Sequence, residues 1–122
     1  MKIAIRTDGY EAFKKRSLER AGQIDRGERI KPSRSITFES AEHMLECLSA
    51  ERVRLCEVAR TDVFTVTSLA AALGRDPRSV RRDIQKLEQY GIIRTREQVN
   101  PGHGRVKIVE PVARRIELRA SI

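Results

Sequence analysis

The sequence predicts an α+β fold in which three helices are followed by a β-hairpin, with a strand and a helix before this core and one strand after it. Three observations support this prediction. Apolar residues recur at helical spacing between residues 41 and 90. A cluster of Asn, Pro and Gly at residues 100–104 separates two strand-like runs, as in a hairpin. Short alternating runs occur near both ends of the chain.

The composition is that of one folded domain with an aliphatic core. The chain has 122 residues, 39% of them hydrophobic, with no Trp and only 4% aromatic residues. No run approaches the ~20 apolar residues of a membrane span, and the N-terminus lacks the pattern of a secretory signal. We therefore expect a cytoplasmic protein that does not associate with a membrane.

The two cysteines and two histidines do not form a recognisable chemical site. Cys47 and Cys56 are nine positions apart within helix-like sequence, without the CxxC spacing of a zinc site. His43 and His103 are far apart in sequence, and no phosphate-binding glycine loop is present. The sequence predicts buried reduced thiols, no metal, no cofactor and no enzymatic activity.

Positive charge is concentrated in particular parts of the chain. The formal net charge is +8 and the isoelectric point is near 10.2, which favours a polyanionic partner. Residues 41–74 carry 3 basic and 5 acidic residues, whereas residues 75–122 carry 12 basic and 6 acidic ones. The predicted third helix and hairpin lie in this basic segment.

Residues 1–35 are predicted to form a strand–helix extension. Residues 1–7 alternate between apolar and other side chains, and Asp8 is placed to cap the following helix. The apolar stripe of that helix needs a surface to cover it, so the extension is a candidate for dimerisation or partner binding. The stripe consists of Tyr10, Phe13, Ser17, Ala21 and Ile24, and most of Lys14, Lys15, Arg16 and Arg20 are expected to face outward.

The main domain is predicted over residues 36–110. It begins with a short strand at 36–38, followed by helices at 41–48 and about 50–60, which Ser40 and Ser49 are placed to cap. Residues 61–64 are predicted to be a loop. The second of these helices is expected to pack behind the two helices that follow.

Residues 65–76 have the pattern of a helix that ends in a tight turn. Thr65 or Thr67 can cap this helix, and Leu69, Ala70 and Leu73 form its inward face. Gly74 stands where a helix can end in a left-handed conformation. Asp76 and Pro77 then suit the cap and first position of the next helix, so the two helices form a helix-turn-helix.

The third helix, residues 77–90, divides into an apolar and a polar face. Val80, Ile84 and Leu87 form the inward stripe. The opposite arc holds Arg78, Ser79, Arg82, Gln85, Lys86 and Gln89, with Arg81 on its flank. The helix is expected to end at Tyr90-Gly91.

Residues 94–109 are predicted to form a hairpin, with a loop of about five residues at 100–104. Its basic residues and the histidine of its tip are Arg96, His103, Arg105 and Lys107. Glu110-Pro111 is expected to end the hairpin. Residues 111–122 are predicted to supply a last strand whose natural partner is the N-terminal strand, within the chain or across a dimer.

The stretch from Ser68 to Ile93 resembles winged helix-turn-helix transcriptional regulators of the MarR and ArsR type. The matching residues are Leu69-Ala70, Gly74, Ser79-Val80, Arg82, Ile84, Leu87 and Gly91-Ile92-Ile93. Residues 38–93 also look like small predicted bacterial and archaeal regulators. The first 35 residues have no counterpart in the common winged-helix pattern.

The resemblance implies sequence-specific binding of double-stranded DNA by a transcriptional repressor or autoregulator. The helix at 77–90 would enter the major groove and the hairpin, the wing, would meet the backbone. A homodimer is expected because one short helix reads few base pairs. The candidate DNA-binding residues are Arg75, Arg78, Ser79, Arg81, Arg82, Gln85, Lys86, Arg96, His103, Arg105 and Lys107.

Two alternative functions remain open from the sequence. Some regulators of this general type are antitoxins, so the chain could bind a protein partner such as a toxin through its winged helix and N-terminal helix. Some winged helices bind structured RNA, which the same basic surface would allow.

Overall fold

The computed structural model describes residues 2–7, 9–30, 33–102 and 104–120. Within these ranges the chain forms an α+β fold that contains the predicted helices, hairpin and terminal strands. It divides into two compact units, one comprising Met1–Cys47 with Arg115–Ile122 and the other Leu48–Arg114. The predicted helix cap Asp8 and the hairpin residue His103 lie outside the described residues.

The first unit is built on a three-stranded parallel sheet. Its strands are β1 (Lys2–Arg6), β2 (Ser33–Thr37) and β6 (Arg115–Arg119), in the order β2-β1-β6. The helix α1 (Gly9–Asp25) connects β1 to β2, so these elements form a βαβ unit. The pairing of β6 with β1 confirms the predicted partnership of the terminal strands, and it occurs within one chain.

The centre of this sheet is the buried part of the first unit. Ile3 and Ile5 are fully buried, and Ala4 is buried as well, although its neighbours Lys2 and Arg6 are only half-buried. The short helix α2 (Ala41–Cys47) belongs to the same unit, and the backbone N–H of His43 donates to Ser40 Oγ at 3.1 Å, as expected for a cap. The prediction placed β2 at residues 36–38, three residues later than its observed start.

The helix α1 differs from its prediction in packing. None of its described side chains is buried, and Phe13 and Ile24 of the predicted apolar stripe are 48% and 63% exposed. Of the four basic residues predicted to face mostly outward, Lys14 and Lys15 are exposed, whereas Arg16 and Arg20 are half-buried beside the sheet. The helical period predicts which residues share a face of α1. It does not predict how far that face is buried, and only three short strands are available to cover this helix.

The second unit contains three helices and an antiparallel sheet. The helices are α3 (Ala50–Ala59), α4 (Val66–Leu73) and α5 (Pro77–Gln89). The strands are β3 (Phe64–Thr65), β4 (Ile93–Asn100) and β5 (Gly104–Pro111), in the order β3-β5-β4. Leu55, Leu69, Val80, Leu87 and Val109 are almost completely buried and bring the helices and the sheet into one core.

Three details of this unit depart from the predictions. Phe64, expected in a loop, pairs with Val109 as part of β3. The hairpin loop is shorter than the predicted five residues, because pairing continues to Asn100 and Gly104. Glu110 and Pro111 belong to β5 and pair with Arg94 and Ile93, so the hairpin ends at Pro111 and not before Glu110. Pairing between distant segments produces each of these differences.

Candidate nucleic-acid interface

The turn between α4 and α5 is fixed by capping interactions that the sequence predicts. Thr65 and Ser68 form a capping box at the start of α4, with Ser68 N–H donating to Thr65 Oγ1 at 3.1 Å and Thr65 N–H to Ser68 Oγ at 2.9 Å. Gly74 ends the helix with φ of +65°, in the left-handed region. Asp76 caps α5 through the N–H of Arg78, and Pro77 follows as the first helical residue.

The helix α5 presents its predicted polar face to solvent. Val80, Ile84 and Leu87 are buried, which confirms the inward stripe. Apart from Pro77, the exposed positions on the rest of the helix are Arg78, Arg81, Arg82, Gln85, Lys86 and Gln89, whereas Ser79 is half-buried. Because the inward residues are fixed in the core, the orientation of this basic face is fixed too.

The arginines of this face differ from five other arginines of the second unit that each pair with a carboxylate, namely Arg52, Arg75, Arg94, Arg96 and Arg105. In the part of the chain that the structure describes, Arg78, Arg81 and Arg82 form no ion pair with a carboxylate. An exposed guanidinium without an internal carboxylate keeps its five N–H donors available for an external anion. The face of α5 therefore offers cationic donors together with the amide of Gln85.

Asp83 connects α5 to the elements beside it. Arg52 Nε of α3 donates to Asp83 Oδ1 at 3.0 Å, and Arg75 Nη2 of the turn donates to Asp83 Oδ2 at 2.8 Å. Arg75 also lies 3.5 Å from Glu51 Oε2. The three side chains of the Asp83 network are mostly shielded from solvent, with 13% to 20% of each side chain exposed.

The network was not predicted from the sequence. Sequence reasoning treated Arg75 as a candidate DNA contact, and the structure gives it an internal partner on α5. The missed clue is that Asp83 is the one acid between Arg81 and Lys86 and stands beside the inward residue Ile84. An acid at the border of a buried stripe needs a cation from another element.

The wing carries cations along its length, and several are paired within it. Arg94 Nε donates to Glu110 Oε1 at 2.8 Å and Arg96 Nε to Glu110 Oε2 at 3.2 Å. The hydrogen bond from Arg94 is the main reason that the pKa of Glu110 lies below its ordinary value; desolvation opposes it and Arg96 reinforces it. These pairs connect β4 to β5 at the base of the hairpin.

Nearer the tip, the cations are more exposed. Arg105 Nη1 lies 3.1 Å from Glu97 Oε2, but 73% of the Arg105 side chain and 53% of the Glu97 side chain are exposed, so solvent screens this pair. Lys107 stands opposite Glu97 in the register and is exposed. Arg105 and Lys107 are therefore the wing cations most available to an external anion.

The structure contains no evident metal site or membrane segment in the ranges it describes. No three His, Cys, Asp or Glu residues come together there in a way that could hold a metal ion. None of the helices in those ranges has the length and apolar character needed to cross a membrane. Burial raises the pKa of the Cys56 thiol to about 11, with a smaller contribution from Glu57, which makes this thiol a poor nucleophile.

Comparison with known proteins identifies one family and several related folds. The model of the HVO_A0114 family matches residues 47–116, more than half of the chain. A search of curated proteins finds no significant match. The family match covers α3, the helix-turn-helix and the wing.

Solved structures of transcriptional regulators are similar to this chain at low sequence identity. A possible transcriptional regulator from Methanosarcina mazei Go1 has 18% identity and a TM-score of 0.50, over 63% of this chain and 68% of that one. NolR from Sinorhizobium fredii has 15% identity and a TM-score of 0.49, over 61% and 70%. The homodimeric winged helix-turn-helix DNA-binding domain Mb0332 from Mycobacterium bovis, a possible ArsR-family regulator, has 13% identity and a TM-score of 0.48, over 88% and 77%.

These similarities concern the fold. The Methanosarcina structure shows that a similar fold occurs in a solved protein, over 63% of this chain. The three helices followed by a hairpin have the arrangement of a winged helix-turn-helix, and the predicted α+β fold class is confirmed.

Proposed function

The chain belongs to the HVO_A0114 family, and from this premise and the geometry of α5 and the wing we propose that it binds double-stranded DNA as a sequence-specific transcriptional regulator. The observation that carries the proposal is the exposed basic face of α5, whose arginines form no ion pair within the described residues. We propose a binding role without catalysis, as a repressor or autoregulator.

In this proposal α5 lies in the major groove. A helix of 13 residues whose inward face is fixed in the core can present its other face to base edges. Arg78 and Arg82 can each form two hydrogen bonds with guanine, and Gln85 can do so with adenine. Arg81 and Lys86 flank these residues and suit phosphate contacts, and Ser79 suits either role.

The wing and the turn would position α5 on the duplex. Arg105 and Lys107 are exposed cations near the wing tip and suit phosphate contacts. Arg96, nearer the base, and His103, which the sequence predicts to lie in the loop, are further candidates. Arg75 supports the helix through Asp83 and remains a candidate phosphate contact. The wing would thus contribute affinity, whereas α5 would contribute most of the specificity.

We also propose that the protein acts as a homodimer, with residues 1–35 contributing to self-association. One helix of this length reads only a few base pairs, and two-fold symmetry doubles the site. The exposed apolar side chains Leu18 and Ile24 of α1 are candidates for the contact between the two copies.

The direct test is selection of bound fragments from random duplex DNA by the purified protein. Enrichment of a common sequence supports the proposal, and a palindrome supports the dimer. Structured RNA added as a competitor separates DNA binding from RNA binding. If no sequence is enriched and RNA competes more strongly than duplex DNA, the proposal is wrong.

Arg82→Ala is expected to weaken binding to the selected site by ~1–3 kcal/mol if Arg82 makes a bidentate contact with a base. Arg54→Ala is a matched control, because it removes the same charge from an exposed position on α3. Titration of both variants against the selected site and an unrelated site measures the effect. Equal affinities of the two variants for the selected site would show that Arg82 does not contact the DNA.

A further inference from the structure

The strand β6 forms one edge of the parallel sheet in the first unit. In the part of the chain that the structure describes, β6 pairs with β1 alone, and β1 lies between β2 and β6. On its other side β6 has backbone N–H and C=O groups that no strand of the described residues pairs. An edge of this kind can accept a further strand.

The apolar face of the sheet reaches β6 but is less buried there. Ile3 and Ile5 of the central strand are fully buried. Their partners in register on β6 are Ile116, which is half-buried, and Leu118, which is 44% exposed. This decrease fits the position of β6, which has a neighbouring strand on one side only. A strand added at this edge would shield both apolar side chains from solvent.

The opposite face of β6 carries charges of both signs. Arg115, Glu117 and Arg119 alternate with the apolar residues and therefore share this face. Arg119 Nη2 donates to Glu117 Oε2 at 3.1 Å, and Arg115 Nη2 lies 3.1 Å from Glu117 Oε1. The side chain of Arg119 is 56% exposed, and a guanidinium has five N–H donors, so Arg119 can donate to a second carboxylate as well.

We propose that β6 pairs with β6 of a second copy of the chain, in antiparallel orientation and centred on Leu118. In this register Leu118 stands opposite the partner's Leu118, and Ile116 stands opposite the partner's Ala120. Glu117 stands opposite the partner's Arg119, and the two-fold axis produces the same charge pair a second time. Two sheets of three strands thereby become one sheet of six.

A pairing of two β6 strands centred on Glu117 is unfavourable. It places the two Glu117 side chains opposite each other and Arg115 opposite the partner's Arg119. Like charges that stand directly opposite each other destabilise a pair of strands. The charges of β6 therefore disfavour this register and favour one in which Glu117 meets an arginine.

A pairing centred on Ile116 is less favourable for a different reason. It places Leu118 opposite the partner's Arg114, so the exposed apolar side chain meets a charge. It also extends the pairing into residues 112–114, although these residues form a bend in which Ala113 is buried. The register centred on Leu118 has neither disadvantage.

The other edge of the same sheet lacks this complementarity. The strand β2 has a single charged residue, Arg34, and no carboxylate. Two copies of β2 would therefore bring two cations to one edge without an anion. The pattern of β6 is complementary to itself, which makes a second copy of the chain the occupant that fits this edge.

The pairing of β6 goes beyond the DNA-binding function proposed above, because it concerns the first unit and can be detected without DNA. It is also separate from the contact proposed for Leu18 and Ile24 on α1. Cross-linking at one position of β6 distinguishes the two contacts, whereas sedimentation measures only the total association.

The test is disulfide cross-linking of Leu118→Cys under mild oxidation. Directly opposite residues of an antiparallel pair have Cβ atoms close enough for a disulfide. We expect Leu118→Cys to form a covalent dimer. Ile116→Cys should form none, because the two cysteines would be four positions apart along the strands, or roughly 13 Å. A covalent dimer of Ile116→Cys but not of Leu118→Cys would overturn the proposal, as would the absence of a cross-link in both.

Val63→Cys is the control for random collisions between chains, since Val63 is 65% exposed and lies in the second unit. The wild-type chain shows whether Cys47 or Cys56 forms cross-links of its own. Cross-linking of Leu118→Cys no faster than that of Val63→Cys would indicate collision without pairing and would contradict the proposal.

An exchange of charges tests the register. Arg119→Glu, added to Leu118→Cys, places a carboxylate opposite the partner's Glu117 and is expected to suppress the cross-link. Glu117→Arg, added to Leu118→Cys, brings arginines together and should have the same effect. In a mixture of these two double variants every charge pair between the chains is again of opposite sign, so the cross-link should return.

Circular dichroism confirms that each variant is folded. A cross-link that persists in either double variant alone, or that does not return in the mixture of folded variants, would contradict the pairing of Glu117 with the partner's Arg119.

Discussion

Asp83 is the residue through which α5 is tied to α3 and to the turn. Its two oxygens accept from Arg52 and Arg75 at 3.0 and 2.8 Å, and only 13% of its side chain is exposed. Loss of the Asp83 charge leaves the guanidinium groups of Arg52 and Arg75 without a shared anion, in a region mostly shielded from solvent. The network therefore matters for the orientation of the helix as well as for stability.

Asp83→Asn is expected to lower the free energy of unfolding by about 1.5–3 kcal/mol, since hydrogen bonds between charged groups are replaced by weaker ones. Glu88→Gln is the matched control on the same helix, and a change within about 0.5 kcal/mol is expected for it. Denaturant titration of both variants measures the difference. Equal stabilities would show that the network contributes little.

Gly74 provides the second test at the level of single residues. Its φ of +65° places it in the left-handed region, and a Cβ built there meets no atom within 4 Å, so only the backbone conformation opposes a side chain. Gly74→Ala is expected to destabilise the chain by about 1–2 kcal/mol. Gly74→Asn should cost less, because asparagine tolerates this conformation. Thermal unfolding of both variants tests whether alanine costs more than asparagine at this position. A steric clash would instead penalise the larger asparagine side chain more.

Single residues also show why the helix-turn-helix could be predicted. The caps Thr65 and Asp76, the glycine at 74 and the proline at 77 act through contacts with residues at most four positions away in the chain. Such local chemistry can be read from one sequence. The partners of Asp83 lie 31 and 8 positions away, and nothing in the local pattern specifies them.

At the level of elements, those defined by local patterns were predicted better than those that depend on contacts between distant residues. The helices and hairpin of the second unit were predicted to within a few residues, because the helical period and the turn residues define them. The β3 strand was missed because two residues carry no periodicity and pair with Val109 and Ile108, which lie far along the chain. The burial of Arg16 and Arg20 depends in the same way on strands β1 and β2.

The wing yields a prediction about salt dependence. Arg105→Ala/Lys107→Ala is expected to weaken binding to specific and unspecific duplexes alike, because both cations suit phosphate contacts. If each neutralises one phosphate, the slope of log K against log salt should become less steep by roughly 1.8. Titrations at several salt concentrations give the slope.

The control for the wing variant is Lys14→Ala/Lys15→Ala, which makes the same change in net charge at exposed positions of α1. An unchanged slope in the control is expected. If both double variants change the slope equally, the effect belongs to overall charge, and the wing has no particular role in binding.

For the whole molecule, the feature that calls for explanation is the exposure of α1. Leu18 and Ile24 are 65% and 63% exposed, although scattered exposed apolar residues are common on soluble proteins. Here they occur on a helix with no buried side chain among those described. A second copy of the chain would cover such residues, and it would also supply a second recognition helix.

The homodimer is expected to appear in sedimentation as a species of twice 13.9 kDa. Leu18→Glu/Ile24→Glu should shift the chain to the monomer, because two carboxylates would then be desolvated in the contact. Val63→Glu is the control, since Val63 is 65% exposed and lies in the second unit. The monomeric variant should also bind a palindromic site more weakly while keeping its affinity for one half-site. A dimer that persists in the double variant would exclude this helix from the contact and direct attention to other surfaces of the chain.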